Sequence, residues 1–259
     1  MYYMKRLKGA ISLKNLKNGK ALSTLIVLII VSVIVVAAIG AVLIYLWFIP
    51  GQVINKQMEY SDFTVVDVGS AFQVDITQAN TYSVIIKASE TILDKIDVTK
   101  EGSTLIIRAE PNIPITAVYK AEITMPNLTE LVLSGASKAT VQGFSSSDSI
   151  VLKISAASRL DMQNTHSGNV EIELSGASTL IAEGSGNDLV SIVEGASKLD
   201  LTSFQVINGN LEVSGASQAT INLDGRLDAV VSGASTLYYI GEPTMGHIET
   251  SGSSSINKK

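Results

Sequence analysis

Hydrophobic positions along this chain keep two different rhythms. From Ala21 to Ile49 they are continuous, ALSTLIVLIIVSVIVVAAIGAVLIYLWFI, with no charge and only Ser23, Thr24 and Ser32 as polar interruptions. From Phe63 onward they alternate with polar residues, as in FTVVDVGSAFQVDI (63–76) and YSVIIKAS (82–89). The first rhythm predicts a helix that is apolar on every side; the second predicts strands with one buried face. A helix over 21–49 is about 43 Å long at roughly 1.5 Å per residue. That exceeds a hydrocarbon core of about 30 Å, so such a helix spans a bilayer with tilt. Tyr45, Trp47 and Phe48 stand at its far end, where an interfacial aromatic belt belongs, and Pro50-Gly51 terminates it.

The alternating region repeats itself. Ser134-Gly135-Ala136-Ser137 returns as Ser155-Ala156-Ala157-Ser158, Ser175-Gly176-Ala177-Ser178 and Glu194-Gly195-Ala196-Ser197. It continues as Ser214-Gly215-Ala216-Ser217, Ser232-Gly233-Ala234-Ser235 and a degraded Ser251-Gly252-Ser253-Ser254. The spacings are 21, 20, 19, 20, 18 and 19 residues, so the chain reads as a solenoid. One and three positions before each copy the residues are mostly aliphatic, Leu131 and Leu133 in the first, Leu211 and Val213 in a later one. Two and four positions after it they are apolar again, Leu160 and Met162, Leu199 and Leu201. Each repeat is therefore strand, tight corner, strand and a variable return. A coil of 18–21 residues is too short for a helix-pair repeat and lacks the leucine-rich pattern. It fits an all-β parallel β-helix with strands stacked about 4.8 Å apart.

This assigns the corner residues an architectural role. The second-place glycines, Gly135, Gly176, Gly195, Gly215 and Gly233, supply backbone freedom at a sharp bend. Ala136 and its equivalents are small enough to stack inside it. The closing serines, Ser137, Ser158, Ser178, Ser197, Ser217 and Ser235, keep the parity of the buried positions, so they turn inward and hydrogen-bond the backbone as a ladder. The division that follows is a basic segment 1–20, a transmembrane helix 21–49, a linker 50–60, irregular opening coils or a cap over 61–126, and a regular solenoid over 127–259.

Charge sharpens the picture. Residues 1–60 carry seven Lys/Arg and one Glu, a net of +6, and residues 61–259 carry 12 basic and 23 acidic residues, a net of −11; together they make the −5 of the whole chain. Lys5, Arg6, Lys8, Lys14, Lys17 and Lys20 precede the helix, which places the N-terminus in the cytoplasm and the β region outside. An acidic exterior excludes nucleic acid as a partner, because neutralising phosphates needs a basic face. Cysteine is absent, which removes disulfides and thiolate chemistry.

Candidate chemistry is thin. A serine nucleophile elbow needs Gly-x-Ser-x-Gly, which does not occur; His166 and His247 fall in return loops far apart; and corners repeated at every level do not make one special site. HExxH, EF-hand and Gly-rich calcium repeats are missing too, so no cofactor or metal is expected. What stands out is a polar face: Lys138, Arg159 and Lys198 occupy equivalent outward positions, with Asp161 and Asp200 two residues further on. Glycans or other cell-surface proteins are the partners such a face suits. Asn127-Leu128-Thr129 is a glycosylation sequon and equally a turn held by Pro126. Thr250, Ser253 and the terminal Lys258-Lys259 make the last coil polar, which resists strand addition.

ITMPNLTELVLSGAS (123–137), STLIIRAE (103–110) and the recurring Ser-Gly-Ala-Ser turns resemble the putative autotransporter adhesin "head GIN" domain family over roughly residues 61–256. The resemblance implies a β-solenoid that is exported or anchored. No Gly-Ile-Asn tripeptide occurs here, and the expected anchor is a helix, not an outer-membrane barrel. KNGKALSTLIVLIIV (17–31) is similar to archaeal type IV pilin-like leaders, which implies cleavage near Gly19-Lys20 and a helix that packs in a filament. The reading is thus a membrane-anchored extracytoplasmic surface module, non-enzymatic, adhesive or scaffolding. The alternatives are a pilin-like filament subunit and, by analogy of fold, a polysaccharide-active enzyme.

Overall fold

A computed structural model describes residues 19–48, 52–113, 117 and 119–259, without the side chains of 19–25 and 43–48. The basic flank through Lys17, the aromatic side chains expected as a belt and the Pro50-Gly51 terminus lie outside the described residues. The chain divides into two units, Met1–Pro50 and Gly51–Lys259.

The first unit holds helix α1 (Gly19–Phe48). Between Ile26 and Val42 its side chains are exposed almost without exception, Val36 to 69%, and Ser32 Oγ donates back to the Ile29 carbonyl at 2.8 Å. Among the described residues no helix is long and apolar enough to cross a membrane.

The second unit opens with β1 (Val53–Met58), β2 (Val65–Val68), β3 (Gln73–Gln78), β4 (Ser83–Ser89), the single-turn α2 (Glu90–Leu93), β5 (Ile96–Glu101), β6 (Thr104–Ala109) and β7 (Tyr119–Met125). Strand pairs then flank each corner: β8 (Glu130–Leu133) and β9 (Lys138–Gln142), β10 (Ile150–Ile154) and β11 (Arg159–His166), β12 (Val170–Leu174) and β13 (Thr179–Ser185), β14 (Asp188–Val193) and β15 (Lys198–Val206). They continue with β16 (Asn208–Val213) and β17 (Gln218–Leu223), β18 (Arg226–Val231) and β19 (Thr236–Ile240), β20 (Thr244–Thr250) and β21 (Ser255–Lys258). The first member of each pair enters a ten-stranded sheet, β20-β18-β16-β14-β12-β10-β8-β2-β6-β5. The second enters an eleven-stranded sheet, β1-β4-β7-β3-β9-β11-β13-β15-β17-β19-β21. The result is an all-β solenoid in which each coil places one strand in each of two parallel-stacked sheets.

Period-two alternation decides which residues fill the space between the sheets. Leu131, Leu133, Leu160, Leu180, Leu199, Leu211, Val213, Leu223 and Leu237 are all buried, while their strand neighbours face out. Each such aliphatic side chain contributes about 1.5–3 kcal/mol on leaving water. Aromatic bulk collects near the beginning: Phe63 packs on Tyr82 at 4.9 Å between ring centroids, and Phe72 on Tyr119 at 4.7 Å.

The opening segment is a capped solenoid end. β2 and β3 form a full coil around Gly69-Ser70-Ala71, which stacks directly on the β8–β9 coil. The chain then makes an excursion in which β6 and β7 add one more parallel layer, and antiparallel β5, β4 and β1 close both sheets. Two expectations are corrected. Residues 50–60 are not merely a spacer, because β1 lies there and pairs with β4 from Val53↔Ser89 to Met58↔Val84. His166 and His247 are not in return loops; they lie at the end of β11 and inside β20.

The corners come in two kinds. At Ser70-Ala71, Gly135-Ala136, Ala156-Ala157 and Gly176-Ala177 both central residues have positive φ, the pattern of a type I′ turn. At Gly195, Gly215, Gly233 and Gly252 only the glycine does, the pattern of type II′. The two differ by a flip of the central peptide, and the flip reverses the hydrogen bonds between coils. In the first group Ala71 donates forward to the Gly135 carbonyl, Ala136 to Ala156 and Ala157 to Gly176, at 2.7–2.9 Å. In the second group Ala216 donates backward to the Gly195 carbonyl, Ala234 to Gly215 and Ser253 to Gly233, each at 2.7 Å. The directions meet between Gly176 and Gly195. There the N–H groups of Ala177 and Ala196 are left head to head at an exposed bend, where solvent can satisfy them.

Candidate functional site

The closing serine of every corner is at most 2% exposed in the six well-formed copies. In five of the six its hydroxyl is spent on backbone. Ser158 Oγ accepts from Ser137 N–H at 3.2 Å, Ser197 Oγ from Ser178 N–H at 3.2 Å, Ser217 Oγ from Ser197 N–H at 3.3 Å and Ser235 Oγ from Ser217 N–H at 3.2 Å. Ser137 Oγ also donates to its own Ser134 carbonyl at 2.8 Å. The ladder misses one rung: Ser158 N–H turns to Ser155, and buried Ser178 Oγ has no partner among the described residues. These serines hold coils together and are not presented to solvent as nucleophiles.

Solvent meets the outer faces of the two sheets. On the eleven-stranded sheet the register aligns Lys87, Lys120, Gln73, Lys138, Arg159, Thr179, Lys198 and Gln218 in one row. Two residues along, the second row runs Glu122, Asp75, Thr140, Asp161, Ile181 and Asp200. All five residues expected on a polar face are therefore on this one. Arg159 grips Asp161 with Nε at 2.8 Å and a terminal nitrogen at 2.6 Å, and Lys198 lies 3.5 Å from Asp200. Lys138 lines a depression together with Gln73, Ala136 and Tyr119, and among the described residues it has no acid within ion-pair distance.

Sequence reasoning left out the continuation of these rows into the cap, where Lys120 pairs with Asp75 and Glu122, and Lys87 with Glu122. The signal was a basic residue two positions before an acidic one, as in Lys120-Ala121-Glu122, Arg159-Leu160-Asp161 and Lys198-Leu199-Asp200. Hydrogen bonds from Lys87 outweigh desolvation and hold Glu122 below its usual carboxylate range, while Lys120 is raised chiefly by its hydrogen bond to Asp75. Burial pushes Asp200 up, but its bonds from Thr202 and the Lys198 charge together bring it down. Exposed pairs of this kind contribute about 0–1 kcal/mol each, so the rows set surface character more than stability.

The same Arg-x-Asp spacing occurs once on the ten-stranded sheet. Arg226 holds Asp228 with two nitrogens at 2.6 and 2.7 Å, and the His247 N–H adds a bond at 2.6 Å, so the Asp228 carboxyl falls to about 2. His166 Nδ1 lies 2.9 Å from Ser185 Oγ at an exposed position. Among the described residues no group of three His, Cys, Asp or Glu is arranged to hold a metal ion. Asn127 Nδ2 donates to Asp148 at 2.8 Å while its Oδ1 is buried, and Leu128 beside it is buried as well. The sequon nitrogen that a glycan would occupy is thus tying one turn to the next.

Two stacked parallel sheets joined by mirror-type corners define the class, a two-sheet β-solenoid. The chain matches the family described as putative auto-transporter adhesin, head GIN domain, over residues 62–243, and it belongs to that family. Its fold is shared with solved structures. A putative adhesin from Bacteroides fragilis superposes with a TM-score of 0.75 at 18% identity, covering 80% of this chain and 97% of that one. A putative adhesin from Parabacteroides distasonis gives 0.63 at 12% identity, covering 81% and 98%, and one from Parabacteroides merdae gives 0.62 at 13%, covering 81% and 97%. Among curated proteins none matches.

Proposed function

We propose that this chain is a membrane-anchored, extracytoplasmic surface module that works by binding, as an adhesin or scaffold, and not by catalysis. The observation that carries the reading is the equivalence of the corners. Every well-formed coil repeats the same buried serine, and the solvent-facing chemistry is spread over the outer faces of two sheets. Catalysis needs one place where groups converge on a reacting atom; adhesion needs an extended face. Membership in an adhesin family agrees with this.

The anchor in this reading is α1, with the basic N-terminal segment in the cytoplasm and the β unit outside. The support is the apolar run 21–49 and the charge asymmetry around it. The test is protease treatment of intact cells followed by membrane fractionation and N-terminal sequencing. A β unit shaved from outside, with a membrane-bound remnant starting at Met1, supports the reading. A mature start near Lys20 or Ala21 makes a filament subunit the better account. Depolymerisation of any polysaccharide by the purified chain would overturn the non-enzymatic role.

A further inference from the structure

On the ten-stranded sheet Asp67, Glu130 and Asp228 are paired with Arg108, Lys153 and Arg226, but among the described residues the glutamates of β12 and β16 are not. On the eleven-stranded sheet the aspartates and glutamates of the second row are matched by a Lys or Arg of the first. On the ten-stranded sheet, β14 turns Val190 and Ile192 outward, exposed to 49% and 37%. In register beside them stand Glu171 and Glu173 on β12 and Asn210 and Glu212 on β16. Among the described residues none of these three glutamates has an ion-pair partner; Lys153, the nearest base in register, is paired with Glu130 at 2.9 Å.

We infer that the patch centred on Val190 and Ile192 docks a basic polypeptide segment of a partner, one that presents Lys or Arg around a branched aliphatic side chain. An aliphatic pair flanked by three glutamates adds nothing to the core, which lies on the sheet's other side, and Lys153 beside Glu173 is engaged by Glu130. Such a patch complements a chain of opposite charge and like apolarity. Strands stand about 4.8 Å apart and alternate residues about 6.8 Å, so Glu173 and Glu212 bracket Ile192 at distances a flexible lysine stem covers easily. The net −11 of residues 61–259 attracts such a segment over a longer range and speeds its encounter. The inference rests on the reading of this unit as a binding module and is independent of the anchor.

The test uses the full chain in zwitterionic nanodiscs and two fluorescent peptides of equal charge, acetyl-KVKIKVK-amide and acetyl-KSKSKSK-amide, with binding read by anisotropy at low and physiological salt. The aliphatic peptide is expected to bind at least about tenfold tighter. Val190→Thr with Ile192→Thr, outward β-branched replacements that keep strand propensity, removes that advantage and leaves the serine peptide unchanged. Glu171→Gln, Glu173→Gln and Glu212→Gln together weaken both peptides and flatten the salt dependence. Equal binding of the two peptides, or an advantage that survives the double threonine variant, overturns the inference. A failure here with the β unit still shaved from intact cells leaves the surface-module reading standing, so the two can fail separately.

Discussion

The corners before and after the gap between Gly176 and Gly195 share a four-residue motif but not its physics. In the earlier group the central carbonyl points back toward the cap; in the later group it points on toward β21. That carbonyl decides whether the next corner has room for a side chain. A Cβ placed on Gly135 or Gly176 would meet nothing nearer than a backbone nitrogen at 3.1 Å. A Cβ on Gly215 would lie 2.4 Å from the Gly195 carbonyl oxygen, and one on Gly233 2.5 Å from that of Gly215. The second place of the earlier corners accordingly holds Ser70 and Ala156 as well as glycine, and that of the later corners holds glycine alone. What looks like a slightly degenerate repeat is two turn geometries with different steric rules.

The largest effect should come from Gly215→Ala. The substitution puts an alanine at φ +79 and a methyl inside the contact radius of a fixed carbonyl. The left-handed conformation alone costs about 1–2 kcal/mol, and the clash adds to it, for a total on the order of 3 kcal/mol or more. Denaturant unfolding should show the midpoint shift multiplied by m amounting to that loss. Gly135→Ala, in the earlier group, is expected to cost only the conformational part, about 1–2 kcal/mol. If the two variants unfold alike, the distinction between the groups is wrong.

The serine ladder extends the comparison across the same gap. Ser197→Ala removes the acceptor of the buried Ser178 N–H. Leaving that donor unsatisfied should destabilise by about 1–2 kcal/mol. Ser178→Ala removes a buried hydroxyl with no partner among the described residues, so it should be neutral or slightly stabilising. Thermal unfolding of the pair measured side by side decides whether the missing rung is real; a Ser178→Ala loss as large as that of Ser197→Ala would show that it is not.

Much of this architecture was legible because a 20-residue period with alternating parity leaves few ways to place a side chain. The buried sides of β8 to β19, the inward serines and the outward row of Lys138, Arg159 and Lys198 all follow from that parity. The cap was not legible in the same way. Strands β4 and β5 carry the same alternation as the coils, and nothing local tells an antiparallel partner from a parallel one. The excursion that places β2 and β3 between β6–β7 and β8–β9 is a long-range choice. β1 was hidden because VINKQM carries a weak apolar pattern, and its burial is slight even when paired. The peptide flip was hidden for another reason: Ser-Gly-Ala-Ser satisfies both turn types, and the preceding coil selects between them. The clue lay in which corners dispense with glycine.

The smallest effect isolates the conformational part of the argument. Ala156 sits at φ 52 in the earlier group, where its Cβ is tolerated but its backbone is not at ease. Ala156→Gly relieves a left-handed penalty of about 1–2 kcal/mol and gives back about 0.5–1 kcal/mol through the greater freedom of glycine in the unfolded chain. The net gain should lie between about 0 and 1.5 kcal/mol, a rise in melting temperature of at most roughly 6 °C for a unit this size. Because Ala156 is exposed and the variant adds no contact, any gain comes from the backbone conformation. A loss of stability would mean that the Ala156 methyl is held by packing, and that the earlier corners select side chains instead of merely admitting them.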